Sequence, residues 1–396
     1  MINKKMEQLG KVRSVIRELF EYGKKRKAEI GEDKVFDFSL GNPSVPAPDC
    51  VNEAIRAFTE EMSSLRLHGY SSAQGDAGVR QAIAEYLNKK HGTAFTADSL
   101  YMTVGAAASL TICLNALVCE GDEVIAFAPF FPEYRVFSES AGARFVALAP
   151  TADFQIDKAA LSAAVNEHTK AVIVNSPNNP SGVVLTEDSI KNLCAVLKEK
   201  SELYGHPIYL ITDEPYRELV YDGVTVPFLT NYYDNTLVCY SFSKSLSIPG
   251  ERIGYIAVSP TMEDERDVYA AVCGAGRALG YVCAPSMFQF VAAKCLGATA
   301  DVSVYKHNRD LLYGALCDYG YQCVKPDGAF YLFLKTPEAD ANAFCERAKG
   351  KELLLVAADS FGCPGYVRIS YCVSTEQIEN SLPAFKALAE EYGINK

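Results

Sequence analysis

The sequence predicts an α/β protein: a large unit built on a doubly wound, mostly parallel, mixed sheet, and a smaller α+β unit formed by the N- and C-terminal segments. Three observations carry this. From about residue 50 to 285, helical stretches alternate with short apolar runs, several of them apolar at every position, as strands covered by helices on both faces are. After Pro285 that alternation stops. With 396 residues, 49% hydrophobic and 22% charged, the chain has the length for two or three domains and the apolar content for a large core.

The elements follow in order. The N-terminal 25 residues lack a continuous apolar stretch and read as an amphipathic helix, with Val12, Val15, Ile16, Leu19 and Phe20 on one stripe. Such a helix needs a partner for its stripe, so it is expected to pack on the smaller unit. The Pro-rich segment 40–48 reads as a stiff linker, giving an arm and linker over 1–48. Helical periodicity runs through 51–62 and 78–90. Strand-like runs follow at 100–104, 122–128, 143–148, 170–175, 208–213, 236–241 and 252–258, which places the large domain at 49–285. The small domain, 286–396, holds helical segments around 286–318 and a β-like run at 328–335. A helix at 340–349, strands at 353–356 and 366–370 and a closing helix at 375–392 complete it.

Composition excludes several classes of function. A net charge of −11 and a pI of about 5.1 oppose a general affinity for nucleic acid. The apolar stretches are far too short to span a bilayer, so no membrane partner and a cytoplasmic location are expected. Thirteen cysteines contain no Cys-x-x-Cys pair, and the five histidines show no ligand spacing. That argues for reduced thiols and no metal site.

Ligands of a doubly wound sheet sit outside the carboxyl ends of its strands. Polar groups gather there: Asp213, Ser241 with Lys244, Asn179 and Gly105 each follow an apolar run. In SFSKSLSIPGERIGY (241–255), Lys244 stands among serines with Arg252 eight residues on. A lysine that forms an imine must be partly neutral, which desolvation or nearby cations achieve. Serine hydroxyls and a guanidinium fork make a phosphate cradle.

S-x-S-K followed by P-G-x-R-x-G-Y resembles the signature of the class I and II aminotransferases, the fold-type-I pyridoxal-phosphate enzymes of the aspartate aminotransferase superfamily. Matches run in order from Gly41 to Arg368. The resemblance implies pyridoxal 5'-phosphate as cofactor, held by Lys244 as a Schiff base. It assigns Asp213 in ITDEPY to the pyridine nitrogen and Tyr216 to the ring's phenolic oxygen, with Asn179 of SPNNPSG donating to that oxygen as well. Gly105, Ala106 and Ala107 in TVGAAASL, with Ser241, Ser243 and Arg252, take the phosphate at a helix N-terminus. Phe131 in APFFPEY, chosen over Phe130, stacks on the ring. Arg368 in YVRISYC grips the substrate α-carboxylate, beside Gly41 and Asn42. Tyr70 matches a tyrosine that reaches the phosphate of a neighbouring subunit, which implies a homodimer with shared active sites.

The implied reaction moves an amino group from an L-amino acid to a 2-oxo acid, Lys244 shuttling the Cα proton. A carbon–sulfur β-lyase or a decarboxylase on the same fold is the alternative. A cofactor-sensing module of a transcription regulator shares the fold but calls for a DNA-binding domain ahead of it. A generic nucleotide-binding protein lacks its glycine motif here. Two departures concern the donor: Ala107 stands where some acidic-substrate members carry a lysine, and Glu251 replaces a commoner apolar residue. Arg277 in GAGRALGY is a candidate cation for a distal carboxylate, supplied from the partner subunit. Aspartate, alanine and aromatic donors stay open, with 2-oxoglutarate as the acceptor to test.

Overall fold

A computed structural model describes residues 2–11 and 15–394. Its main sheet has seven strands, in spatial order Leu100–Thr103, Gly254–Val258, Thr236–Ser241, Tyr209–Asp213, Thr169–Asn175, Glu123–Phe127 and Arg144–Leu148. Gly254–Val258 pairs antiparallel on both sides, and every other pairing is parallel. The sheet is therefore mixed and mostly parallel, as expected.

Side-chain alternation explains why both faces are apolar. Ala171, Ile173, Ile211, Leu237 and Cys239 point to a layer containing the helices Ala106–Leu117 and Glu265–Ala278. Val172, Val174 and Leu210 point the other way, onto the helix Glu187–Tyr204. On that same side Val238, Tyr240 and Ala257 meet the helices Ala77–His91 and Ser286–Lys294. The last of these lies beyond the boundary expected at 285, so the core of the large unit runs past it. Helix limits follow local chemistry. Asp76 caps Ala77–His91 by accepting from Val79 N–H, and Gly92 ends it in the left-handed conformation. Thr186 and Gly205 do the same for Glu187–Tyr204.

The second core gathers Leu312, Leu316, Phe344, Ile369 and Phe385 around an antiparallel sheet ordered Val356–Ala357, Tyr366–Ser370, Tyr331–Lys335 and Gln322–Val324. The strand expected at 328–335 begins only at Tyr331, because Ala329 adopts a positive φ of 55° that breaks extended backbone. Phe36–Asp37 pairs in parallel with Leu353–Leu354, which ties the N-terminal segment to this unit. Gly23 allows the close approach: a Cβ there would lie 2.8 Å from Leu354 Cδ1. The N-terminal helix spans Val15–Ile30 after a shorter one at Lys4–Lys11. Its expected stripe is only half used, since Ile16 packs near Phe333 and Phe361 while Val15 and Phe20 stay exposed. Val12 lies outside the described residues.

Candidate active site

Strand ends of the large sheet and one strand of the small sheet enclose a cavity of about 540 Å³. Twelve of the fifteen residues singled out from the sequence line it: Gly41, Ala106, Ala107, Phe131, Asn179, Asp213, Tyr216, Ser241, Ser243, Lys244, Arg252 and Arg368. Gly105 lies just behind the wall, Asn42 is exposed, and Tyr70 is 89% exposed on this single chain. Arg277 is exposed and forms no part of the wall.

The strand Thr236–Ser241 runs directly into a one-turn helix, Phe242–Ser245, that carries Lys244. Its ammonium donates to the Gly41 carbonyl at 2.6 Å and lies 5.4 Å from the centre of the Phe330 ring. Burial pushes the Lys244 pKa down to about 8. The charges of Arg252 and Arg368 act in the same direction and Cys372 acts against it. An amine so placed is partly neutral near pH 8 and can act as a nucleophile.

On one side of Lys244 the chain builds an anion cradle. Ser241 Oγ accepts from Ser243 N–H at 3.2 Å and lies 2.8 Å from Ser243 Oγ. Arg252 Nη1 donates to Ser243 Oγ at 3.4 Å. The helix Ala106–Leu117 opens onto the same space, its first N–H groups lacking intrahelical partners. Gly105 takes a φ of 96°, and a Cβ there would come within 2.7 Å of Arg252 Nη2. The guanidinium therefore rests against bare backbone.

Across the cavity stands Asp213, the last residue of its strand and 5% exposed. Its Oδ2 accepts from Tyr134 Oη at 2.6 Å, while Oδ1 is buried with no partner. Burial pushes the carboxyl up to about 7, opposed by the Tyr134 hydrogen bond and reinforced by Glu214. Asn175 ties this residue to the next: its Nδ2 donates to the Asp213 carbonyl at 2.8 Å and its Oδ1 accepts from Asn179 N–H at 2.7 Å. Tyr216 Oη lies 2.8 Å from Tyr331 Oη.

Arg368 is 2% exposed in the middle of Tyr366–Ser370. It donates to Asn179 Oδ1 at 3.2 Å and to the Ser39 carbonyl, and its Nε has no partner. The Tyr331 and Phe361 rings flank it at 4.9 and 5.1 Å. Among the described residues no carboxylate pairs with it, although burial makes an isolated cation costly. A ligand carboxylate would satisfy that need.

Sequence reasoning missed Tyr134, Asn175, Ser39 and Tyr331. Asn175 carried a faint signal, as a polar residue closing an apolar run. The others are positioned by tertiary packing, for which no local pattern exists.

A doubly wound sheet carrying a half-buried amine, an anion cradle, an unpartnered carboxylate oxygen and an arginine unpaired among the described residues in one cavity belongs to the class of α/β proteins that hold a small anionic ligand at their strand ends. Comparison with known proteins narrows this. Residues 33–385 match the family described as aminotransferase class I and II. A crystal structure of an amino transferase from Eubacterium rectale superposes with a TM-score of 0.97 at 60% identity, covering 99% of both chains. The putative aminotransferase YugH of Bacillus subtilis is 32% identical, over 82% of this chain and 86% of its own. The aspartate aminotransferase of Thermotoga maritima is 29% identical, over 93% and 95%. The chain belongs to the class I and II aminotransferases, and it is a pyridoxal-phosphate-dependent enzyme. The residues present fit that cofactor: the cradle suits a phosphate, and the orphaned Asp213 Oδ1 suits a protonated ring nitrogen.

Proposed function

We propose that this enzyme transfers the amino group of an L-amino acid to a 2-oxo acid, with Lys244 as the amine that anchors the cofactor and moves the Cα proton. The observation that carries the reading is a half-buried lysine of lowered pKa in one cavity with a buried arginine that has no anion among the described residues. Pyridoxal phosphate supplies an aldehyde that captures amines and a ring that accepts electrons as the substrate Cα–H bond breaks.

The chain's own groups do the rest. Arg368 binds the α-carboxylate, and Gly41 lies against the same region. The Lys244 amine would hold the cofactor and, when free, would take the substrate Cα proton and carry it across the site as a general base and acid. Asp213 faces the ring nitrogen and stabilises its protonated form; Tyr216 and Asn179 serve the phenolic oxygen. Ala106, Ala107, Ser241, Ser243 and Arg252 hold the phosphate, with Gly105 behind them, and Phe131 covers one face of the ring. Asn42 borders the carboxylate site from the linker. A homodimer, in which the exposed Tyr70 reaches the partner's phosphate, and a cytoplasmic location complete the proposal. Aspartate with 2-oxoglutarate is the pair to test first, because the relative from Thermotoga maritima carries that donor's name.

Lys244→Ala, freed of amino acids, is expected to abolish both the imine absorbance of the bound cofactor in the visible region and the borohydride-fixed adduct at this position. Retention of either in folded protein overturns the assignment. A panel of amino donors with 2-oxoglutarate then reads the outcome: glutamate and the matching 2-oxo acid support transfer, whereas pyruvate with sulfide, or carbon dioxide, supports a lyase or decarboxylase.

A further inference from the structure

Asp213 is held by one oxygen only. Tyr134, in the first turn of the helix Glu133–Ser140, donates its hydroxyl to Oδ2 at 2.6 Å, and the other oxygen has no partner among the described residues. Tyr134 is 1% exposed and lies outside the wall of the active-site cavity, so it cannot act on substrate directly. Its ring meets Phe131 edge-on, 5.7 Å between centroids and 82° between planes. One side chain thus touches both the carboxylate and an aromatic residue of the cavity wall.

A carboxylate gripped at one oxygen has its orientation decided: Oδ2 turns to the phenol, and Oδ1, buried and without a partner among the described residues, is the oxygen left for a ligand of the cavity that Asp213 lines. The phenol also donates to the ionised form, which favours charge at a site where burial opposes it. We propose that Tyr134 is a positioning residue that aims Asp213 Oδ1 at the cofactor's ring nitrogen and holds the carboxylate in its charged form. The inference rests on the reading of Asp213 given above. The competing explanation is that Tyr134 merely fills space beside Phe131. The two differ in one respect: an aiming role matters only when a ring nitrogen is there to be aimed at.

The test uses the full-length holoenzyme, as wild type, Tyr134→Phe and Asp213→Asn. Each is loaded either with pyridoxal phosphate or with an analogue bearing C–H in place of the ring nitrogen. Cofactor dissociation constants come from absorbance titration, and single-turnover rates from the donor-induced absorbance change. Thermal melts of the apoproteins confirm that Tyr134→Phe is folded. With pyridoxal phosphate, Tyr134→Phe is expected to weaken binding and slow the half-reaction, each on the order of tenfold to a hundredfold, the usual effect of losing an outer partner of a functional group. With the analogue, wild type and Tyr134→Phe should agree within about twofold, since the nitrogen contact is already absent. Equal losses with both cofactors, or no loss with pyridoxal phosphate, overturn the inference and leave Asp213 in its role. If wild type and Asp213→Asn handle both cofactors alike, the Asp213 reading itself fails and the inference falls with it.

Discussion

Arg368 and Asp213 show two responses to burial. A guanidinium cannot shed its proton, so a buried arginine without an anion stays charged and waits for one. A carboxyl has the other option, and burial pushes Asp213 up to about 7, where it is partly protonated at neutral pH. The consequence for stability has a definite sign. Between its ordinary value of 3.8 and about 7, folded Asp213 keeps a proton that the unfolded chain releases. Its contribution to stability is complete at low pH and is lost as pH rises through that window. In the cofactor-free protein, Asp213→Asn, which carries no such proton, should gain thermal stability relative to wild type as pH is raised from about 4 to about 8. Melting curves of the two apoproteins across this range check it. Parallel curves would show that Asp213 is not desolvated as its burial indicates.

At the scale of elements, the helix Ala106–Leu117 makes its own prediction. Its N-terminus has no capping side chain; Gly105 provides only backbone, at a φ of 96° that side chains rarely adopt. Gly105→Ala adds both conformational strain, roughly 1–3 kcal/mol, and a methyl pressed onto Arg252. The expected result is a lower melting temperature and a cofactor affinity reduced about tenfold or more, read by absorbance titration. Unchanged affinity would separate this helix end from phosphate binding. The same elements show what a sequence can disclose. Asp213 and Lys244 were legible because each lies at or just past the end of a mostly apolar run, and Lys244 also stands in the S-x-S-K pattern. The mixed sheet was legible from the same runs. Tyr134 was not, because it reaches Asp213 from behind the cavity wall, from the first turn of a helix whose direction tertiary packing sets. Nor was the union of Asn179 with Arg368, 189 residues apart, which depends on how the small sheet meets the large one. The N-terminal helix was legible as a helix, but its periodicity gave no warning that Val15 and Phe20 would stay in solvent.

For the whole molecule, the question is whether one chain makes one site. Lys244 and Arg368 line the cavity of a single chain, but Tyr70 stands 89% exposed in a segment ordered by Gln289, which donates to Ser71 Oγ and accepts from Asp76 N–H. A single exposed aromatic side chain is ordinary on a protein surface, so its role is decided by experiment rather than by exposure. If Tyr70 serves the neighbouring subunit, each site in a twofold dimer takes its lysine from one chain and its tyrosine from the other. Lys244→Ala then removes the amine of its own site, and Tyr70→Ala impairs the site of its partner. Unfolding and refolding an equal mixture of the two variants should produce hybrids with one site that lacks both groups and one that lacks neither. With random pairing, half of the dimers are hybrids, so roughly a quarter of all sites should bind cofactor and turn over as in wild type. Recovery near that level, absent from either variant alone, is the expected result. If activity after mixing equals the average of the two parents, Tyr70 acts within its own chain or not at all, and the shared site must be abandoned.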